Sequence, residues 1–412
     1  MRMSVSSSTA RLLSAIFCLT LALPLLPVSA QAPKTTVLRY EEKMPVSAQT
    51  PKALLRYEEK KKQANDIAVS IMVSGLTCTC ARFAEDIRNV VNELQPDGIR
   101  VLPVLGVGGL QNLNDVLFLK GVDMAVVDED NLTLLKQRDP LLYANIEQSV
   151  QYITKLYNSE FHVLARNDIK SLDDLRGKKV SFNLKDSQSD VSADIIFRML
   201  KIDVERVNYD NDEAIKQLQD GQISAMIILS GAPQAAVVRV KKEDGIHLLS
   251  LDERSLPKHD LHPLFAKYLP VELTHQQYPD LIPEGTSVST VGSRSLLVTY
   301  AWPEYSSRYN RIAKFVREFF GKIDQFHDGS RHPKWEEISL VAEIPGWIRF
   351  KPAVDWLVEH QNAALKPAFA QFVQNYAPSM AQKGISEKDR EMLFVKFQQF
   401  LQSQTTSSAT GR

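Results

Sequence analysis

The chain has 412 residues, room for two or three compact units at roughly 100–200 residues per domain. Its 44% hydrophobic and 24% charged residues, with 17 Gly and 20 Pro, are ordinary globular proportions and exclude fibrous, collagen-like and wholly disordered chains. Lys plus Arg and Asp plus Glu balance at 49 each, so there is no global field to draw nucleic acid or an anionic membrane, and any charged ligand must be held locally.

Residues 1–30 read as a cleaved signal peptide. Arg2 and Arg11 bracket a polar start, an apolar run extends from Leu12 to Leu26, and Val28-Ser29-Ala30 offers small residues at a cleavage site. That run is shorter than the ~20 residues that span a bilayer, and Phe17 before Cys18 does not suit lipid attachment. Cleavage removes both arginines and no acid, leaving a net charge of −2, and a periplasmic, soluble, monomeric protein is expected. Residues 31–65 form a polar tether with an imperfect duplication: Val28–Lys34 and Val37–Lys43 recur as Val46–Lys52 and Leu54–Lys60. Two polar copies are too few to stack as a solenoid.

From Asp66 short apolar runs alternate with amphipathic stretches, the pattern of an α/β fold. Strands are expected at Ile67–Val73, Ile99–Leu105 and Asp123–Val127, with a helix over Ala81–Leu94, whose Phe83, Ala84, Ile87, Val90, Val91 and Leu94 share one face, and another over Leu110–Lys120. A second set follows: strands at Phe161–Ala165, Gly177–Asn183, Glu205–Asn208, Ser224–Leu229 and Ile246–Leu251, and helices at Asp190–Lys201 and Asp212–Asp220. Ser287–Tyr300 alternates like a strand pair, and helices follow at Tyr305–Phe320, Ala353–His360, Pro367–Tyr376 and Glu387–Gln402. The division expected is lobe 1 over 66–164, lobe 2 over 165–288, a return to lobe 1 over 289–326 and a helical extension over 327–412.

Ligands of open parallel sheets sit beyond the carboxyl ends of the strands, where turns expose N–H groups and helix N-termini. Those turns are Ser74–Cys80, Leu105–Gly109, Asp128–Asp130, Asn183–Ser189 and Ser230–Gln234, all small and polar, which favours a cleft between two lobes. Catalytic motifs fail. Gly106-Val107-Gly108-Gly109 lacks the third glycine of a dinucleotide loop, and no phosphate-loop, zinc-protease or nucleophile-elbow motif is present. His259, His262 and His275 lie among prolines without a supporting cysteine, as in a solvated loop rather than a zinc site. No metal or cofactor is expected. Cys78 and Cys80, the only cysteines left after signal removal, open a helix; they can be reduced thiols lining the pocket, a disulfide stiffening the loop, or a redox or metal pair.

Val104–Asn114, Gly121–Ala125, Ile153–Tyr157 with His162–Arg166, Leu172–Ser181 and Ser230–Pro233 together resemble the TAXI family, the extracytoplasmic solute receptors of TRAP transporters. The resemblance covers about Asp66 to Tyr300. It implies a type II periplasmic-binding-protein-like fold, two α/β lobes that close on a small solute, here followed by a C-terminal helical extension, and a TRAP-type permease as partner. It carries ligand loops onto Ser74, Gly75 and Thr77, onto Gly108, Gly109 and Asn112, onto Asp128 and onto the segment after Phe182. With Cys78, Cys80, Asn183, Lys185, Ser187, Gln188, Ser230 and Gly231, these form the expected ligand site. The chain departs from the family at Lys185–Asp190, where a Gly-Ser-Gly-Thr-like loop is usual, and at Cys78 and Cys80, where glycine and an aromatic are common. The expected solute bears a carboxylate, received by backbone N–H groups near Cys80 and Gly108 with Lys185 or Arg82 as counter-charge, and hinges are expected near Leu164–Arg166 and Val288–Val291. Two other functions stay open: an enzyme on the same fold using Cys78 or Cys80, and a sensor or scaffold acting through the tail beyond Trp302.

Overall fold

The computed structural model describes residues 51–360 apart from 94, 96 and 97, together with Phe397. The expected signal peptide, the first copy of the duplication and the expected helices after His360 lie outside the described residues. Of the second copy, residues 46–50 lie outside the described residues as well, and the rest, from Pro51 through Leu54–Lys60, lies in an exposed helix, α1 (Pro51–Asp66). Its Leu, Arg, Glu and Lys residues are good helix formers, and Pro51 stands at the start, where a missing N–H costs nothing.

The body begins with β1 (Ala68–Val73), α2 (Thr79–Val91), β2 (Arg100–Leu105), α3 (Gly109–Phe118), β3 (Met124–Asp128), α4 (Asn131–Arg138) and the one-turn α5 (Ile146–Ser149). A 17-residue strand, β4 (Val150–Arg166), leads to β5 (Lys179–Ser181), α6 (Gln188–Met199), β6 (Glu205–Val207), α7 (Asn211–Gln219), β7 (Ala225–Ser230) and the short α8 (Ala235–Val238). Then come β8 (Ile246–Leu248), α9 (His262–Lys267), β9 (Leu269–Thr274), the 14-residue β10 (Ser287–Tyr300), α10 (Ser307–Gly321) and β11 (Ile348–Arg349).

The strands pair in the order β2-β1-β3-β10-β4-β7-β5-β6. Within it are two similar halves. In the first, β2, β1 and β3 are parallel and β10 runs antiparallel beside β3. In the second, β6, β5 and β7 are parallel and β4 runs antiparallel beside β7. The hydrogen-bonded ladder is continuous, yet it changes partners at one place: β4 pairs with β10 from Val150 to Glu160, then with β7 from Glu160 to Ala165, while β10 before Gly292 pairs with β9. Each half has a core on both faces of its strands. Val69, Ile71 and Val73 of β1 pack with Phe83, Ile87 and Phe315, whereas Met72 points to Leu110 and Leu113 on the other side. In the second half Val163, Ile227 and Leu229 belong to one core and Leu164, Met226 and Ile228 to the other. The period of two along a strand sends successive apolar residues to opposite faces. The protein is thus a bilobed α/β fold of the type II periplasmic-binding-protein kind.

Two strands differ from their sequence reading. β4 is one strand where only Phe161–Ala165 was expected as such, and β10 is one strand rather than a pair. Both run through a polar middle, Asn158-Ser159-Glu160 in β4 and Gly292-Ser293-Arg294-Ser295 in β10, and it is there that the two strands cross between the lobes. Gly292 is required by that crossing, since a Cβ on it would stand 2.9 Å from the Ser159 carbonyl oxygen. The ladder changes partner at Glu160, earlier in β4 than the expected hinge at Leu164–Arg166.

The chain after Trp302 is part of lobe 1. Phe315, Phe319, Trp335 and Phe350 are fully buried in the core beneath β1, and Trp335 stacks on Phe83 with centroids 4.0 Å apart. Residues 303–350 are therefore not a separable docking tail, and the part of the expected helical extension from 327 to 349 is chiefly turns and a short strand, with a helix resuming over residues 351–360.

Candidate functional site

Five loops at the carboxyl ends of parallel strands meet between the lobes and enclose a cavity of about 360 Å³. Lobe 1 contributes Ser74 to Cys78 after β1, Gly108 and Gly109 after β2, and Asp128 at the end of β3; lobe 2 contributes Asn183 to Ser189 after β5 and Ser230 to Gln234 after β7. A sixth, after β6, adds Asp210, Asn211 and Asp212. The parallel strands all point their carboxyl ends at this gap, so the helices that follow present their N-termini to it.

The lobes touch across the cavity. Thr79 Oγ1 donates to the Gly231 carbonyl at 2.6 Å, Gln234 Nε2 donates to the Thr77 carbonyl at 2.8 Å, and Asn211 Nδ2 donates to Thr77 Oγ1 at 2.9 Å. On the other side Gln188 Nε2 donates to Asp130 Oδ1 at 3.2 Å, and Arg138 pairs with Asp186 at 2.6 Å. Gly109 lies against the start of α6 so closely that a Cβ there would come within 2.5 Å of the Gln188 nitrogen. This is a closed arrangement.

Of the residues expected at the site, Ser74, Gly75, Thr77, Cys78, Cys80, Gly108, Gly109, Asn112, Asp128, Asn183, Ser187, Gln188 and Ser230 line the cavity. Asn112 does so as a brace, accepting the Gly108 N–H at 3.0 Å and donating to the Val126 carbonyl at 3.2 Å. Two expected residues are not among the lining. Lys185 is exposed, and Gly231 serves the lobe contact through its carbonyl. Arg82 is not there either: it reaches Asp86 at 3.4 Å and the Ser330 carbonyl at 3.5 Å. Neither proposed counter-charge for an anion is therefore at the cavity.

Cys78 and Cys80 are joined in a disulfide, with Cα atoms 5.2 Å apart, inside the usual 4.4–6.8 Å range. Cys78 also caps α2, its sulfur accepting the Cys80 N–H at 3.2 Å, and the Cys80 sulfur accepts the Ser74 N–H at 3.3 Å. Bonded to each other, the two sulfurs offer no thiolate nucleophile. The three histidines weighed as metal ligands are apart and occupied otherwise: His259 Nε2 meets Asp173 at 3.0 Å and His275 Nδ1 meets the Ile282 carbonyl at 2.7 Å, while His262 is exposed. Among the described residues no group of three or more His, Cys, Asp or Glu is placed to hold a metal ion.

Sequence reasoning missed two kinds of lining residue. Asp210, Asn211 and Asp212 lie on a carboxyl-end loop that the same rule would have included. Tyr157, Ser159 and Ser295 come from the middles of the crossing strands, and their signal was the polar interruption of two otherwise apolar strands. Behind the cavity, at the crossing point, Glu160 is buried against Lys334; its Oε2 accepts the Ala232 N–H at 2.7 Å, and Lys334 also pairs with Glu337 at 2.5 Å. Burial pushes the Glu160 carboxyl up to about 7, against the opposing pull of Lys334. Nearby His162 is pushed down to about 4 by burial.

A model of the NMT1-like family matches residues 88–345, more than half of the chain and most of both lobes. The chain belongs to the NMT1-like family. Among solved structures, the NMT1-like chain is similar to the substrate-binding protein of an amino acid ABC transporter, at 15% identity and a TM-score of 0.39 over 63% of this chain and 96% of that one. It is similar to an ancestral arginine-binding protein bound to arginine, at 14% identity and a TM-score of 0.38 over 66% and 97%. A third is an amino acid ABC transporter substrate-binding protein from Streptococcus pneumoniae bound to L-arginine, at 13% identity and a TM-score of 0.35 over 64% and 94%. These are loose superpositions, and the two-lobed description of this NMT1-like chain rests on its own strand order.

Proposed function

We propose that this protein is an exported solute receptor of the TAXI kind, which holds a small polar solute between its lobes and hands it to a TRAP-type membrane permease. The observation that carries this reading is the cavity itself: a space of about 360 Å³ walled by carboxyl-end loops of both lobes, with hydrogen bonds between the lobes closing over it. Two strands, β4 and β10, join the lobes at Glu160 and Gly292, so a small rotation there opens the walls. The helices α2, α3, α6 and α7 all begin at the cavity, and their N-termini favour an electron-rich group such as a carboxylate. Residues 1–30 supply the export signal, and the mature protein works in the periplasm as a monomer.

The test is a thermal-shift screen of the mature protein against a solute library. Ligand at a hundredfold excess over Kd stabilises the closed form by about 2.7 kcal/mol, a rise of several degrees in Tm. A hit whose uptake by cells is lost when the receptor is deleted supports the transport role. If no member raises Tm, the receptor reading fails.

A further inference from the structure

Charge at the cavity is one-sided. Three of its lining residues are aspartates, Asp128, Asp210 and Asp212, and none of the described lining residues is Lys, Arg or His. Two of the three have other work. Asp210 caps α7 by accepting the Glu213 N–H at 2.9 Å, and Asp212 pairs with Arg239. Asp128 differs. It ends β3, is 6% exposed, and accepts a hydrogen bond from Ser295 Oγ at 3.1 Å. The charged groups that act on it are Asp130 and Glu129, both acids, so burial first and then repulsion hold its carboxyl well above the ordinary range. A buried carboxylate without a cation is an expensive arrangement for a protein to keep.

A second acceptor lines the same cavity from the other lobe. Gln188 starts α6, lines the cavity and is 7% exposed. Its amide nitrogen donates to Asp130 Oδ1 at 3.2 Å and to Ser192 Oγ at 3.1 Å. With Asp130 ionised, a state that burial disfavours and Lys267 favours, its carboxylate only accepts and the atom facing it is the nitrogen. Oε1 is left as a buried acceptor without a partner among the described residues. Unpaired buried polar atoms are rare in folded proteins and call for a partner.

We propose that Asp128 and the amide oxygen of Gln188 form a subsite for a positively charged N–H donor, so that the solute carries a primary ammonium group. This deepens, and rests on, the receptor reading above. An ammonium presents three donors in tetrahedral directions, enough to reach a carboxylate on one wall and an amide oxygen on the other. Asp128 belongs to lobe 1 and Gln188 to lobe 2, so the subsite is complete only when the lobes are closed. A solute with a second carboxylate at this end would meet Asp128 as a like charge and be rejected.

Four sets of small compounds, cationic, zwitterionic, anionic and neutral, separate the possibilities, anchored by 1,5-diaminopentane, 5-aminopentanoate, glutarate and pentane-1,5-diol. Each is titrated calorimetrically into the full mature chain, into Asp128→Asn and into Gln188→Met. Binding confined to ammonium-bearing compounds is expected, weakened at least tenfold in Asp128→Asn and severalfold in Gln188→Met, with both variants keeping a single cooperative melting transition without ligand. Should Asp128→Asn not fold, Gln188→Met and the comparison of sets on the wild type still decide. Binding of the anionic or neutral sets alone, or ammonium binding indifferent to both substitutions, overturns the inference and leaves the receptor standing. If no set binds, both readings fall together.

Discussion

The two lobes share a strand order but not a construction. Lobe 2 is built from one continuous stretch of chain between the crossing strands, and its cores are largely aliphatic, with Phe161, Phe182, Phe197, Tyr268 and Tyr278 as the main rings. Lobe 1 is discontinuous. Its central core is completed only after β10, when α10 and the segment around Trp335 bring in Phe315, Phe319, Phe326, Trp335 and Phe350 against Phe83. The same returning segment carries Lys334 to Glu160 at the crossing point, and His332 Nε2 stands 3.2 Å from the Pro233 carbonyl of lobe 2. Lobe 1 therefore owns the hinge's electrostatics, whereas the two main clusters of lobe 2 draw on residues 161–291 alone and Val191 of α6 is packed into a cluster of lobe 1.

Trp335→Ala probes that difference most strongly. The residue is 1% exposed, and its Nε1 donates to the fully buried Asp86 at 2.9 Å. Truncating a buried Trp costs about 3–5 kcal/mol, and the lost donor to Asp86 Oδ2 adds to it, while Asp86 Oδ1 keeps Arg82 and Arg331. Urea unfolding followed separately by a lobe 1 probe and a lobe 2 probe should show lobe 1 melting first. Coincident transitions would show that the lobes stand or fall as one unit. Lys334→Met is next: it leaves Glu160 buried without its cation, a loss of about 3–5 kcal/mol, while the double variant Glu160→Leu with Lys334→Met should recover most of it. If the double variant is no more stable than Lys334→Met, the two side chains are not coupled as their contact implies.

Much of this arrangement was legible in the sequence. The apolar spacing of Phe83, Ala84, Ile87 and Val91 marks the buried face of α2, and the small polar turns after the parallel strands mark the cavity walls. The crossing strands were legible only in part: Phe161–Ala165 and Ser287–Tyr300 read as strand, but β4 was cut short because Ser159 and Glu160 look like loop residues. They are tolerated in a buried strand only because Ser295 meets Ser159 at 2.8 Å and Lys334 meets Glu160, partners more than a hundred residues away. Trp335 was equally hidden. It sits in Lys334-Trp335-Glu336-Glu337, a charged run that periodicity assigns to the surface. Long-range pairing of polar groups is the feature that local pattern cannot carry.

The crossing point also sets a pH signature that distinguishes the two lobes. His162, in lobe 2, is held neutral: its Nδ1 faces the Glu160 carbonyl at 2.8 Å, and its Nε2 meets the Tyr278 hydroxyl at 2.7 Å. With its folded value lowered from 6.5 to about 4, its stabilising contribution is present above pH 6.5 and lost as pH falls through about 4. Glu160 has the opposite sign. Raised from 4.5 to about 7, it contributes stability that is full below 4.5 and lost as pH rises through about 7. Between pH 6.5 and 4.5 the two slopes oppose. Glu160→Gln removes one of them, so as pH falls from 6.5 to 4.5 the variant should lack the gain of about 3 kcal/mol that Glu160 gives the wild type, read from urea midpoints. Parallel curves for the two proteins would mean that Glu160 is ionised in the folded state throughout.

The smallest effect on folding is expected where the lobes merely touch. Gly109 has φ +55 and stands against the Gln188 nitrogen of the other lobe, at a seam where Leu110 of α3 and Val191 of α6 belong to one apolar cluster. Gly109→Ala should cost only about 1–2 kcal/mol of unfolding free energy, the strain of a left-handed residue bearing a Cβ. Its larger consequence is geometric, because a Cβ at 2.5 Å from backbone cannot be absorbed by a side-chain rotation. The variant should hold the lobes apart, giving a larger radius of gyration than the wild type in small-angle scattering with the same ligand at saturation, and weaker binding of that ligand. A variant that scatters and binds like the wild type would show that α3 and α6 need not meet when the cavity is filled, and the contrast between rigid lobes and a movable seam would have to be drawn somewhere else in the molecule.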